Sequence, residues 1–255
     1  MGSSRKAAPR IMEGVRVNEY DLYVQNILDF GTKATPRGLG VTTLKNMHIS
    51  VPTGMTYRRY KDNPLIGFME GLQFMGGVFN HSELKRAAPH AKLDLFGHTS
   101  SYGLRVGEQA NWIINELNAD WASRRAILVL ANPNEVLEDR PCTTCMQFFI
   151  TDTLNTTVTM RSSDAVYGLP YDFIQFGMMS MMIANCLNID VGNTTINIGD
   201  AHIYDDTASL AKDFEEWVFT IPHLKSLVEY EIWAQSTMYR LDKDVVYDVF
   251  KFHKA

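Results

Sequence analysis

The chain has little cysteine, no long unbroken apolar run and no surplus of positive charge, and each shortage removes a class of protein. Three cysteines among 255 residues, an odd number, argue against a disulfide framework. The longest apolar stretch, 173–187, is interrupted by Gln175, Ser180 and Asn185 and falls short of the roughly 20 residues a bilayer requires. It reads as a buried core helix, and no membrane association is expected. A formal net charge of −5 offers no general attraction to a polyanion, so nucleic acid is not an expected partner. The start, Met1-Gly2-Ser3-Ser4-Arg5-Lys6, lacks the apolar core of a secretion signal, so a cytoplasmic location is expected.

No repeat, low-complexity tract or Pro/Gly/Ser-rich linker divides the chain. Residues 1–14 read as a flexible leader and 15–255 as one domain. Asn18 to Phe30 carries apolar residues at helical spacing and stops at Gly31, as a glycine-capped helix does. Asn63-Pro64 opens a second helix running to Met75, mostly apolar apart from Glu70. Glu108 to Leu117 predicts another. Ala126–Ala131, Gln147–Thr151, Thr156–Arg161 and Thr194–Ile198 are rich in β-branched or aromatic residues and predict strands. The segments 205–218 and after Lys243 take no firm assignment. Helices and strands mix without regular βαβ alternation, which favours the α+β class.

The chemistry-bearing residues concentrate in Arg140-Pro-Cys142-Thr-Thr-Cys145-Met-Gln147-Phe148, Arg161-Ser162-Ser163-Asp164 and Gly168-Leu-Pro-Tyr-Asp172. Cys142 and Cys145 form a C-x-x-C pair, yet no second pair or H-x-x-x-H supplies the remaining ligands of a zinc site, and no metal is expected. A thioredoxin-type pair opens a helix, whereas here β-like residues follow. Cys186, inside the apolar stretch, reads as a small buried apolar residue. Arg161 ends a strand beside two serines, Arg124 and Arg125 follow Ser123, and Arg37 sits in a Pro/Gly-rich turn. Guanidinium forks and serine hydroxyls are the groups that grip a phosphate dianion. Arg58, Arg59 and Arg86 read instead as solvated surface charges. Glu70 on an apolar helix must be partnered or used, because a buried acid is costly.

These segments resemble thymidylate synthase and its relatives, the pyrimidine nucleotide hydroxymethylases. Glu70-Gly-Leu-Gln-Phe-Met-Gly-Gly-Val-Phe-Asn80 is similar to that family's Glu-Leu-Leu-Trp-Phe-x-x-Gly-x-Thr-Asn. Tyr102-Gly103, Ser123-Arg124-Arg125, Pro141-Cys142 with Gln147-Phe148, Arg161-Ser162-Ser163-Asp164, Gly168-Leu169-Pro170 and Gly199-Asp200-Ala201-His202-Ile203-Tyr204 match further family motifs in order. The resemblance implies a large mixed sheet covered by helices, with one sheet face forming a homodimer interface. It implies that Cys142 adds as a thiolate to C6 of a pyrimidine nucleoside monophosphate, making C5 a nucleophile toward 5,10-methylenetetrahydrofolate. Arg37, Arg161 and Ser162 would hold the 5′-phosphate, with Arg124 and Arg125 reaching over from a second subunit. His202 and Tyr204 would bind the 3′-hydroxyl, Gln147 would lie at the substrate, and Asp164 and Gly168 at the folate. Glu70 would organise proton transfer, and Tyr102 would help remove the C5 proton.

Three departures from the uridylate methylases refine this expectation. Asp172 stands where they carry Asn in Gly-Leu-Pro-Phe-Asn. A carboxyl group accepts from the N4 amino group of cytosine and, protonated, donates to N3, while its ionised form repels uracil O4. Thr143 replaces their usual His, as in phage deoxycytidylate hydroxymethylases, which also carry Asp at the base-reading position. No tryptophan lies between Val78 and Gly103, and the end, Val249-Phe-Lys-Phe-His-Lys-Ala255, does not resemble their folate-closing terminus. A more open lid would admit water to the transferred carbon. The resemblance thus implies dCMP 5-hydroxymethylation, with dCMP methylation or CMP hydroxymethylation as the alternatives.

Overall fold

The computed structural model describes residues 18–59, 62–89, 102–134 and 140–255; the expected leader lies outside them. Its centre is β8 (Val191–Tyr204), which pairs antiparallel with β2 (Val41–Pro52) from Val41↔Tyr204 to Pro52↔Asn193. On its other side β8 runs parallel to β6 (Leu154–Met160), and its far end also pairs with β7 (Ser163–Asp164). β5 (Thr143–Ile150) and β4 (Ile127–Val129) extend the sheet beyond β6, and β1 (Thr32–Ala34) closes it beside β2, giving seven strands in a mixed sheet. A small sheet joins β3 (Met55–Arg58), β9 (Glu215–Val218) and β10 (His253–Lys254).

The helical layer is α1 (Glu19–Phe30), α2 (Leu65–Met75), α3 (His81–Ala87), α4 (Gly103–Val106), α5 (Gln109–Ala119), α6 (Gly168–Leu187), α7 (Leu227–Arg240) and α8 (Val245–Val249). α6 is buried almost all round and packs on β6, β8 and α2. Its Phe173, Phe176, Met179 and Ile183 join Val158, Ile196 and Ile198 of the sheet in one core. Each fully buried side chain of this size stabilises by about 1.5–3 kcal/mol. α2 lies close to α6 because Gly67 and Gly71 face it; a Cβ on Gly71 would fall on Met178 Sδ.

The opposite face of the large sheet carries no helix among the described residues. His48, Ser50, Asn197, Ile127, Val129 and Phe149 are exposed there, as period-two alternation requires. The class is α+β, as the sequence predicts; β5, β6 and β8 begin before their predicted starts and β8 also runs past its predicted end, whereas β4 is shorter than predicted. β2, for which the sequence reading has no strand, is a full partner of β8.

Two expectations are corrected. Gly31 does not cap α1 in a left-handed conformation: its φ is −71°, and its N–H bonds Ile27 O at 3.0 Å. Glycine is required because a Cβ would meet Ile27 O and Thr42 Cγ2. Arg58 and Arg59 are not solvated surface charges, whereas Arg86 is exposed as expected. Arg58 lies 4.6 Å from the Trp217 ring centroid. Arg59 forms a salt bridge with Asp62 at 2.7 Å, both side chains 12% exposed, and stacks over Tyr167. Arg86 donates to the carbonyls of Met238, in the last turn of α7, and of Leu241, just after it. Each uses its alkyl stem and planar head against neighbouring elements, a use that spacing alone does not reveal.

Candidate active site

The ends of β6, β7 and β8, the start of β5 and one side of α2 and α6 enclose an open cleft of about 1840 Å³. That exceeds the roughly 300–1,000 Å³ of a site for one small ligand and leaves room for two side by side. Cys142, Glu70, Asp172, Tyr102, Arg37, Arg161, Ser162, His202, Tyr204, Asp164 and Gly168 all line it.

Backbone pairing sets the position of Cys142. Cys142 is the last residue before β5, and Arg161 N donates to Cys142 O at 2.8 Å, which brings the Arg-Ser-Ser-Asp segment against the thiol. Cys142 Sγ lies 3.9 Å from Ser162 Oγ. The Arg161 guanidinium is tied by Nε to Pro141 O at 3.1 Å and by Nη2 to Arg140 O at 3.0 Å, with Nη1 3.2 Å from Ser162 Oγ. Three bonds fix the fork before any anion arrives, which lowers the ordering cost of binding one. Arg37 sits in a 3₁₀ turn at φ 51°, the left-handed region unfavourable to residues with a Cβ. Strand alternation puts His202 and Tyr204 on one face of β8, their rings edge to face at 5.1 Å.

The end of the cleft that holds Asp172 lies deeper. Asp172, the fifth residue of α6, is 8% exposed. Ser163 Oγ donates to its Oδ2 at 3.1 Å and Gln175 Nε2 to its Oδ1 at 2.8 Å. Burial pushes its carboxyl up to about 7 against the pull of those two donors, and Asp164 adds repulsion. Glu70, on the α2 face toward α6, is pushed up to about 8 by burial, with the Asp172 charge adding to it. The side of Glu70 toward the cleft is open, so it is not sealed from solvent. Tyr102 OH bonds Thr143 Oγ1 at 2.7 Å and accepts from Thr143 N at 3.3 Å. Burial and the nearby Asp172 carry its phenol well above the usual range. Two acids whose neutral and charged forms coexist near neutral pH, one thiol and a held phenol are suited to nucleophilic addition with proton transfer.

Asp164 accepts from Val166 N at 2.9 Å and Tyr167 N at 3.3 Å, which orients it at the mouth of α6. Gly168 leaves space: a Cβ there would make only ordinary contacts of 3.4 Å or more. Among the described residues no group of three or more His, Cys, Asp or Glu could hold a metal ion, and no helix is long and apolar enough to cross a membrane.

Three expected site residues stand outside the cleft. Gln147 lies on β5, on the opposite side from buried Met146 and Phe148, and donates to Arg124 O at 3.2 Å. Period two aims it at the open sheet face. Arg124 and Arg125 are exposed beside it, and Arg125 pairs with Glu116 at 2.6 Å. Sequence reasoning missed Ser163 and Gln175 as partners of Asp172; the i, i+3 spacing of Asp172 and Gln175 on one helix was the available signal.

A family model described as thymidylate synthase matches residues 81–236, more than half of the chain. The chain belongs to the thymidylate synthase family. Two curated relatives, thymidylate synthases of Bacillus licheniformis and of a designated strain of that species, are each 31% identical over 119 residues. The aligned stretch covers 41% of this chain and 43% of each relative. In this member of the family Arg37 and Glu70 precede the matched span, yet the fold brings both to the cleft that holds Cys142.

Proposed function

We propose that this thymidylate synthase family member transfers a one-carbon unit from methylenetetrahydrofolate to C5 of dCMP, where water adds to it as tetrahydrofolate and the Cys142 thiolate depart, leaving 5-hydroxymethyl-dCMP. The observation that carries the reading is the buried carboxyl of Asp172 in the cleft that holds Cys142. Cytosine presents an acceptor at N3 and a donor at N4, and a neutral carboxyl complements both. Uracil reverses both groups. A carboxyl that is half neutral at about pH 7 suits cytosine under ordinary conditions.

Cys142 adds through its thiolate to C6, and the electron pair displaced toward the ring makes C5 nucleophilic. Asp172 supports that charge by sharing its proton with N3. Methylenetetrahydrofolate, when bound, supplies the one-carbon unit, and the size of the cleft, which Gly168 lines, fits it. Asp164 orients the pterin end, Arg37, Arg161 and Ser162 hold the phosphate, and His202 and Tyr204 address the 3′-hydroxyl. Tyr102, fixed by Thr143, orders the water that takes the C5 proton, and Glu70 passes protons at the transferred carbon. Gln147, Arg124 and Arg125 lie on or beside the uncovered sheet face, which supports a homodimer in which the partner's Arg124 and the partner's Arg125 complete the phosphate site.

Mass spectrometry of dCMP, CMP and dUMP, each incubated with the protein and methylenetetrahydrofolate, tests this. A hydroxymethyl gain on dCMP is expected. A methyl gain with dihydrofolate release would keep the base assignment and reject the water step. Modification of CMP alone would reject the deoxyribose assignment, and modification of dUMP alone would reject the reading of Asp172.

A further inference from the structure

A neutral carboxyl group does not by itself distinguish the two pyrimidines. With the proton on the oxygen facing ring position 3 it donates to cytosine N3 and accepts from the N4 amino group. With the proton on the other oxygen it donates to uracil O4 and accepts from N3–H. Base selection therefore depends on which oxygen of Asp172 is kept free of a proton, and the surroundings of Asp172 make that choice.

The two oxygens have different partners. Oδ2 meets Ser163 Oγ at 3.1 Å. A hydroxyl can donate to a carboxylate oxygen or turn and accept from a protonated one, so Ser163 tolerates either state. Oδ1 meets Gln175 Nε2 at 2.8 Å. That amide group only donates, so a proton on Oδ1 would set two donors against each other. Turning the amide to present its carbonyl would instead set two acceptors together whenever Asp172 is ionised. Gln175 is 5% exposed and one helical turn from Asp172 on α6, so its reach is fixed by the helix itself.

We propose that Gln175 is the positioning residue that sets base preference, by holding Asp172 Oδ1 as a permanent acceptor facing the 4-substituent of the ring and leaving Oδ2 to carry the proton for N3. This rests on the cytidylate reading above. The other ionisable groups around Asp172 are Asp164 on β7, Glu70 on α2, Tyr102 before α4, Tyr20 on α1 and Cys142 before β5. Asp164 raises the Asp172 carboxyl, and Glu70, Tyr102 and Tyr20 are each raised by it. None of these donates to Oδ1, so the selection of the proton-bearing oxygen falls to Gln175.

The test is kcat/KM for dCMP and dUMP, across pH, in the wild-type protein, Gln175→Met and Ser163→Ala. Gln175→Met keeps the volume and removes the donor. Its ratio of dCMP to dUMP should fall by about tenfold or more, with dUMP gaining absolutely, and the alkaline limb for dCMP should move to higher pH because the charged form has lost a partner. Ser163→Ala should lower both substrates while leaving their ratio within about twofold. An unchanged ratio in Gln175→Met overturns the role of Gln175 and leaves the cytidylate reading standing. A wild-type protein that prefers dUMP sinks the underlying reading before any variant is compared. If Gln175→Met folds poorly, Gln175→Glu keeps the shape but donates only when protonated. The same fall in ratio is expected there, and full retention of the ratio overturns the proposal.

Discussion

Cys142, Asp172 and Glu70 lie within one cleft, and each gives a separate expectation. Cys142→Ala should lose turnover by on the order of a thousandfold or more without loss of fold, because the thiol is only half-buried; kinetics with circular dichroism checks both parts. Asp172→Asn replaces a carboxyl by an amide that satisfies uracil, so its preference should move from dCMP toward dUMP, read in a competition of the two. Glu70 carries a folded-state carboxyl raised to about 8 from an ordinary 4.5. The folded protein therefore holds a proton that the unfolded chain releases. The contribution of Glu70 to stability is fullest below pH 4.5 and is lost as pH rises through 8. Glu70→Gln should stabilise at pH 8 by about 1–3 kcal/mol, discounted for the open cleft side, and by little at pH 4.5. Thermal melts at the two pH values measure this. The residues of this site were legible because their types and order carry their chemistry: Cys142, Asp172 and Glu70 could be named from sequence. Their partners were less so. The bond from Thr143 to Tyr102 joins residues forty-one apart, and only the folded chain brings them together.

α2 and α6 carry Glu70 and Asp172 on facing sides, and the glycines between them set the distance. Gly71→Val would push Met178 and the helix axes apart. The expected cost is about 1–3 kcal/mol of stability together with a drop in kcat larger than any rise in KM, because the two acids would separate while the phosphate clamp stays in place. Melting curves and steady-state kinetics on the same preparation check the pair. The helices α1, α2, α5 and most of α6 were legible because they carry long apolar faces and start signals such as Asn18 and Asn63, whereas α3, α4 and α7 were not assigned. β2 was not assigned. Its buried Ile49 and Val51 alternate with exposed His48 and Ser50, but Lys45 and Asn46, at φ 56°, break the pattern midway. The aromatic cluster formed by Phe68, Phe219, Phe250 and Phe252 escaped too, since it gathers α2, the turn after β9 and the segment around α8. Phe68 and Phe250 stack at 4.1 Å, and Phe250→Ala should cost about 3–5 kcal/mol by denaturant titration.

Among the described residues one face of the large sheet is covered by helices and the other is not. Arg124 and Arg125 lie at the edge of the uncovered face, away from the cleft in their own chain. A homodimer would explain both facts. Cys142→Ala and a double Arg124→Ala, Arg125→Ala variant should each be inactive alone. Mixed and re-equilibrated, they should recover about a quarter of wild-type activity, since only one site of each mixed dimer regains every residue. No recovery, with mixed dimers present by native mass spectrometry, would place the arginines in their own subunit's function. The α+β class was legible from intermixed helices and strands. The uncovered face was not, because half-exposed threonines and asparagines on central strands read like any edge.

The central claim is that Asp172, partly neutral and held by Ser163 and Gln175, selects cytosine for a thiol-initiated one-carbon transfer. A single competition, with equal dCMP and dUMP, methylenetetrahydrofolate and the wild-type protein from pH 6 to 9, tests it most directly by product mass. Consumption of dCMP first, with its advantage shrinking as pH rises through about 7, is the expected result. Preferential consumption of dUMP at every pH would contradict the claim.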